Sequence, residues 1–301
     1  MAMNLIIIIL LLLTVFCVGM MFYKLKKQPA VSLSAMDYGK LIVSGIIAFI
    51  ADTLGMGSFA VNIALAKLLG TFHDDELPAL NNGAQVIPGM IESLFFMQLI
   101  DVDMTTLVTL VVGTCIGGVI GGRVVSRLSK QSIRLAMIFS FALIIGLLLC
   151  RQLHVFPIGG DLVALHAWKL VIAFFGMIVC GMLTSVGIGL FVMVQAVLFL
   201  LGLSPLVAFP IMTTAGAMQQ PLTTLAFLQQ DKIPLKKTLI LSLAGCVGVA
   251  FAMSIFSHLT ITWLHSLLLL IVTYNLFAVS RSYMRSRLGN QDAMIPLPEY
   301  N

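Results

Sequence analysis

Apolar runs of about 20 residues recur along the chain, each ended by a short polar stretch. Such a run matches a hydrocarbon core of roughly 30 Å at a rise of 1.5 Å per residue, where a backbone must satisfy its own polar groups. Continuous runs, without the alternation of a barrel strand, favour helices. Of the 301 residues, 60% are hydrophobic and 10% charged, and mean hydropathy is +1.09, far from a soluble globular domain. The expected class is an all-α polytopic membrane protein in contact with the lipid bilayer.

Basic residues sit mainly at the ends of apolar runs, where orientation signals belong, so no nucleic-acid partner is expected. Lys24, Lys26 and Lys27 follow the first apolar stretch instead of preceding it. Residues 1–27 therefore read as a retained N-terminal transmembrane helix with its amino terminus outside. Cys17, Cys115, Cys150, Cys180 and Cys246 form no C-x-x-C pair and have no zinc-like His spacing. They read as small buried hydrophobes, and no cofactor or metal is expected.

Shifting the chain by 132 positions places Gly187 on Gly55, Gly189 on Gly57, Phe191 on Phe59 and Gly202 on Gly70 without a gap. Pro210 then meets Pro78, and Gly245 meets Gly113. Coinciding Gly and Pro are informative where Leu on Leu is not. Two repeats are expected, 41–151 and 167–282, followed by a cytoplasmic tail over 283–301. Each begins with a Gly-interrupted segment (41–70, 169–202). Helices follow over 78–99, 104–123 and 133–150 in the first repeat, and over 206–228, 238–256 and 264–281 in the second.

With about 15 residues on either side of its glycines, each interrupted segment is short for two crossings and suits a re-entrant hairpin. Three crossings per repeat then invert the second copy relative to the first. Loop charge agrees: Arg123, Arg127, Lys130 and Arg134 mark the 123–134 loop as cytoplasmic, whereas its partner, 255–266, has no Lys or Arg. Asp101 and Asp103 are likewise matched by a loop carrying Lys232, Lys236 and Lys237. This threading puts the carboxyl terminus in the cytoplasm.

Non-helical backbone at membrane depth is tolerated where protein or a water-filled cavity satisfies it, so paired breaks at Leu54–Ser58 and Val186–Leu190 point to a transport site. The half-helices beyond them would aim N–H groups and positive dipole ends at the midplane, which suits an anion. Asn81, Gln85, Pro88 and Glu92 share one helical face, echoed by Thr213, Gln220 and Thr224. The candidate substrate-binding residues are Gly55, Gly57, Ser58, Asn81, Asn82, Gln85, Gly187, Gly189, Thr213, Thr214, Gln219 and Gln220, with Thr53, Thr184 and Ser185 beside them.

Asp52 and Glu92 are the candidate proton-coupling residues. Asp52 has two readings: a cap for the half-helix beginning near Gly55, or a carboxylate that must carry a proton or meet water because its charge is costly in hydrocarbon. Lys67 reads as snorkelling from a helix end. Gly113, Gly117 and Gly121 form small-xxx-small spacing for helix packing, with a weaker version in "GCVGVA". Asn275 and Gln195 fit either a site or interhelical bonding.

"DTLGMGSF" and "SVGIGLF", with "LPALNNGAQVIPGMIES" and "PIMTTAGAMQQP" after them, resemble the TauE/SafE (sulfite exporter, TSUP) permeases over about residues 41–281. Those permeases contain two related halves opening on glycine-rich segments. Ser58, Phe59, Leu190 and Phe191 stand where further glycines are common in that family, and Ala64 where proline is. The resemblance implies transport of small anions such as sulfite and organosulfonates, commonly by export, in a bacterial inner membrane. The resulting expectation is a non-enzymatic secondary transporter of a small anion, coupled to protons; a homo-oligomer is compatible with it. The alternatives are a membrane-embedded redox enzyme, a non-transporting scaffold and a channel.

Overall fold

The computed structural model describes residues 2–29, 32–153, 155, 159–187, 189–255 and 261–292. His154, His258, the 256–260 connection and the tail beyond 292 lie outside them. Twelve helices and no strand occur among the described residues: α1 Ala2–Leu25, α2 Ala35–Thr53, α3 Ser58–Leu69, α4 Leu77–Ala84, α5 Val86–Leu99, α6 Met104–Val125, α7 Lys130–Gln152, α8 Ala167–Thr184, α9 Leu190–Leu200, α10 Pro205–Gln229, α11 Leu235–Ile255 and α12 Ile261–Asp292. Among the described residues, five helices are long and apolar enough to cross a membrane: α1, α6, α7, α8 and α11.

Both interrupted segments fold back on themselves. In the first, α2 starts at a capping box, where Ser34 and Asp37 exchange bonds, and ends where Met56 N donates to Ala51 O at 2.9 Å. Gly55 and Gly57 then take φ of +89° and +86°, which side chains resist, and α3 runs back. Lys40, early in α2, donates to Leu69 O at the end of α3 at 3.1 Å, so the two ends share one face. Lys169 does the same for α8 and α9, donating to Leu201 O at 3.0 Å.

The arms are unequal, against the expectation of about 15 residues each. They have 19 and 12 residues in the first hairpin and 18 and 11 in the second. The capping box starts α2 at residue 35, ahead of the expected 41, so the first arms span about 27 Å or more and only the second arms are half-length.

The hairpins open on opposite faces. Near the first mouth, Lys237 Nζ donates to Thr71 O at 2.7 Å, Arg134 Nε to Asp74 at 2.6 Å, and Lys24 pairs with Asp231 at 2.8 Å. Near the second, Leu165 N donates to Thr106 Oγ1 at 3.0 Å, and Leu162 bridges to Leu203. Lys24, Lys27, Lys232, Lys236 and Lys237 line the surface beside the first mouth, where Lys67, Lys130 and Arg134 pair with Asp74 and Asp75.

Helix crossings rely on small residues. A Cβ on Gly117 of α6 would stand 2.0 Å from Ile178 O of α8, and one on Gly181 of α8 2.3 Å from Thr114 O. The matching crossing of α11 on α2 brings Gly248 against Ile46 O and Gly45 against Leu241 O. Such close backbone approach is how membrane helices pack without a hydrophobic drive between them.

Beyond shifts of a few residues at helix ends, two further boundaries differ from the sequence reading. The helix expected over 78–99 is interrupted at Gln85 into α4 and α5, because Pro88 cannot donate to residue 84 and crowds its carbonyl. The tail expected from 283 begins as helix, since α12 continues to Asp292.

Candidate functional site

The hairpin tips meet in the interior. Gly57 lies against Gly189, and Gly187, with φ of +98°, packs its turn on Pro78 at the start of α4. Between the tips is a cavity of about 10 Å³, the space of a single water. Asp52, Phe59, Gln85, Glu92, Gly189, Leu190, Phe191, Met212, Thr213, Gly216 and Gln220 wall it. No Lys, Arg or His is among them.

One side of this chamber is a closed hydrogen-bond network. Ser58 N, the first N–H of α3, donates to Asp52 Oδ1 at 2.5 Å, so the carboxylate caps the helix that follows the break. Gln85 Nε2 donates to Asp52 Oδ2, and Ser58 Oγ donates to Gln85 Oε1 at 2.6 Å. Glu92 adjoins Asp52 and accepts from Thr53 Oγ1 at 2.6 Å. Asp52 and Glu92 are 2% and 1% exposed, so two carboxylates sit together out of solvent. Asp52 is thus the cap that one sequence reading gave, and it also faces the cavity.

The structure brings Asp52, Ser58, Gln85, Glu92, Gly57, Gly189, Thr213 and Gln220 together. Other candidates stand apart from the cavity. Asn81 Nδ2 reaches Gly187 O at 3.5 Å and Asn82 Nδ2 reaches Thr184 O at 3.4 Å, so both brace the second hairpin's turn. Thr214 accepts from Ser93 at 3.1 Å, and Ser185 donates to Gly181 O at 3.2 Å. Gln219 donates to Thr223, which donates to Gly118 O of α6 at 3.1 Å. Gly55 shapes the first turn and makes no wall.

Sequence reasoning missed Phe59, Leu190, Phe191, Met212 and Gly216 as lining residues. Phe59 and Phe191 carried a signal, since they coincide in the 132-position shift. The two undecided amides bond between helices: Asn275 donates to Ala60 O at 2.7 Å, and Gln195 accepts from Arg151 at 2.7 Å. Lys67 pairs with Asp74, as does Arg134. Burial disfavours the Asp74 anion, but Lys67 and Arg134 outweigh it and hold the carboxyl below the usual carboxylate range.

Long apolar helices around a buried polar chamber define a polytopic helical membrane protein. No family model, curated protein or solved structure matches the chain.

Proposed function

We propose that this protein is a secondary transporter of a small anion, coupled to protons, working by alternating access between two inverted repeats. The observation that carries this reading is the meeting of two hairpin tips, entering from opposite faces, around buried Asp52 and Glu92. Discontinuous helices at such a place are the usual sign of a transport site. Two adjoining carboxylates that lack a cation resist joint ionisation out of water, so the pair is suited to take up a proton. An anion beside them is repelled until that proton arrives, which ties the two movements together.

The repeat reading draws further support from element order, because α2 to α7 recur as α8 to α12 at the 132-position shift, with α4 and α5 matched by the single α10. The face rich in Lys and Arg is assigned to the cytoplasm, which places the amino terminus outside in a bacterial inner membrane. The TauE/SafE resemblance supplies the substrate class, sulfite or an organosulfonate, and export as the direction. The protein then carries its substrate unchanged and needs no catalytic group.

The test is reconstitution in proteoliposomes containing a pH-sensitive dye. Adding sulfite, thiosulfate, sulfoacetate or acetate to a protein-containing vesicle should move protons for at least one anion. Anion flux without proton movement would remove the coupling, and no flux for any anion would remove the transporter reading.

A further inference from the structure

The two hairpin tips differ electrically. At the first, Asp52 already occupies the amino end of α3. At the second, the place of Asp52 is taken by Thr184, whose hydroxyl turns back to Cys180 O at 2.8 Å, and no side chain caps α9. Gly189, the N-cap of α9, and its first residues Leu190 and Phe191 wall the chamber. Gln220 lines the same cavity; it is 4% exposed, and its Oε1 has no hydrogen-bond partner among the described residues.

A buried amide oxygen without a donor is costly, and the two ends of a Gln amide exchange by rotation about one bond. Either way up, the amide carries an Nε2 donor on a side chain that walls the cavity beside the N–H groups of an uncapped, positively polarised helix end. Those are the donors a compact oxyanion needs.

We propose that the anion binds at the amino end of α9 with Gln220 as its side-chain donor, while the α3 end stays occupied by Asp52. The claim rests on the transporter reading and divides the chamber: anion on the second hairpin, proton on the first. The cavity has the space of a single water, so the hairpin tips must part to admit a compact oxyanion such as sulfite or acetate.

The experiment is thermal-shift titration of the purified full chain with sulfite, thiosulfate and acetate, comparing wild type with Gln220→Leu, Gln220→Glu and Leu190→Pro. Proline at the first helical position removes one N–H without breaking α9, and Gly189 already has the ψ of 132° that a following proline favours. Each variant that melts cooperatively without ligand should bind the stabilising anion about 10-fold more weakly or worse. Binding within about 2-fold of wild type in those variants overturns the placement and leaves the transporter reading intact. A wild-type protein stabilised by none of the three anions overturns both.

Discussion

Gly57 and Gly189 lie against one another beside the chamber, a Cβ on either standing 3.8 Å from the other's Cα. They are equivalent under the 132-position shift, yet their backbones differ: Gly57 has φ of +86° and Gly189 of −57°.

That difference separates conformation from space. Gly57→Ala should cost about 1–3 kcal/mol, because a side chain is forced into a sparsely populated backbone region. Gly189→Ala should stay within about 0.5 kcal/mol, its Cβ having room and an ordinary φ. Melting of the two purified variants in detergent checks the ordering.

Close helix crossing makes a second contrast. Gly117→Ala drives a Cβ into Ile178 O and should destabilise by about 1–3 kcal/mol or more. Gly146, on α7, has nothing within 4 Å, so Gly146→Ala should be neutral or stabilise by up to about 1 kcal/mol. Equal losses at both positions would show that α6 and α8 do not approach as described.

Asp52→Asn preserves a capping side chain and removes a protonatable one. The variant is expected to fold near wild-type stability and to lose the pH dependence of anion flux in vesicles. A fully proton-dependent Asp52→Asn protein would exclude Asp52 as the coupling residue and leave Glu92.

Asp74, held by Lys67 and Arg134, links the mouth of the first hairpin to α7. Its folded carboxyl titrates below its unfolded value of about 3.9, so its stabilisation is complete above that pH and is lost as pH falls through the lower folded value. Asp74→Asn should therefore cost about 1–3 kcal/mol at pH 7 and almost nothing once the wild-type carboxyl is protonated. Melting curves from pH 7 down to pH 3 would show the gap closing.

The breaks at Gly55, Gly57 and Gly187 were legible in the sequence because only a residue without Cβ takes those positive φ values readily, and their repetition is visible as spacing. The polar face of α4 and α5 was legible too, since Gln85 and Glu92 lie seven positions apart on a helix. Adjacent pairs were not separable. Successive helical residues point about 100° apart, so only one of Thr213 and Thr214, and one of Gln219 and Gln220, can reach the cavity. The choice depends on where α5 and α6 pack, which a single sequence leaves open. Asp52 was ambiguous for a related reason: capping α3 requires the chain to reverse after it, a tertiary event.

The central claim is that the two hairpins enter from opposite sides and meet at one chamber. Its most direct measurement is labelling of Asp75→Cys and Asp161→Cys, each on a background without native cysteines, by a membrane-impermeant maleimide in sealed vesicles of known orientation. The account predicts that residue 75, beside the first mouth, reacts only from the cytoplasmic side, and residue 161, beside the second, only from the outside. Labelling of both positions from the same side would contradict it.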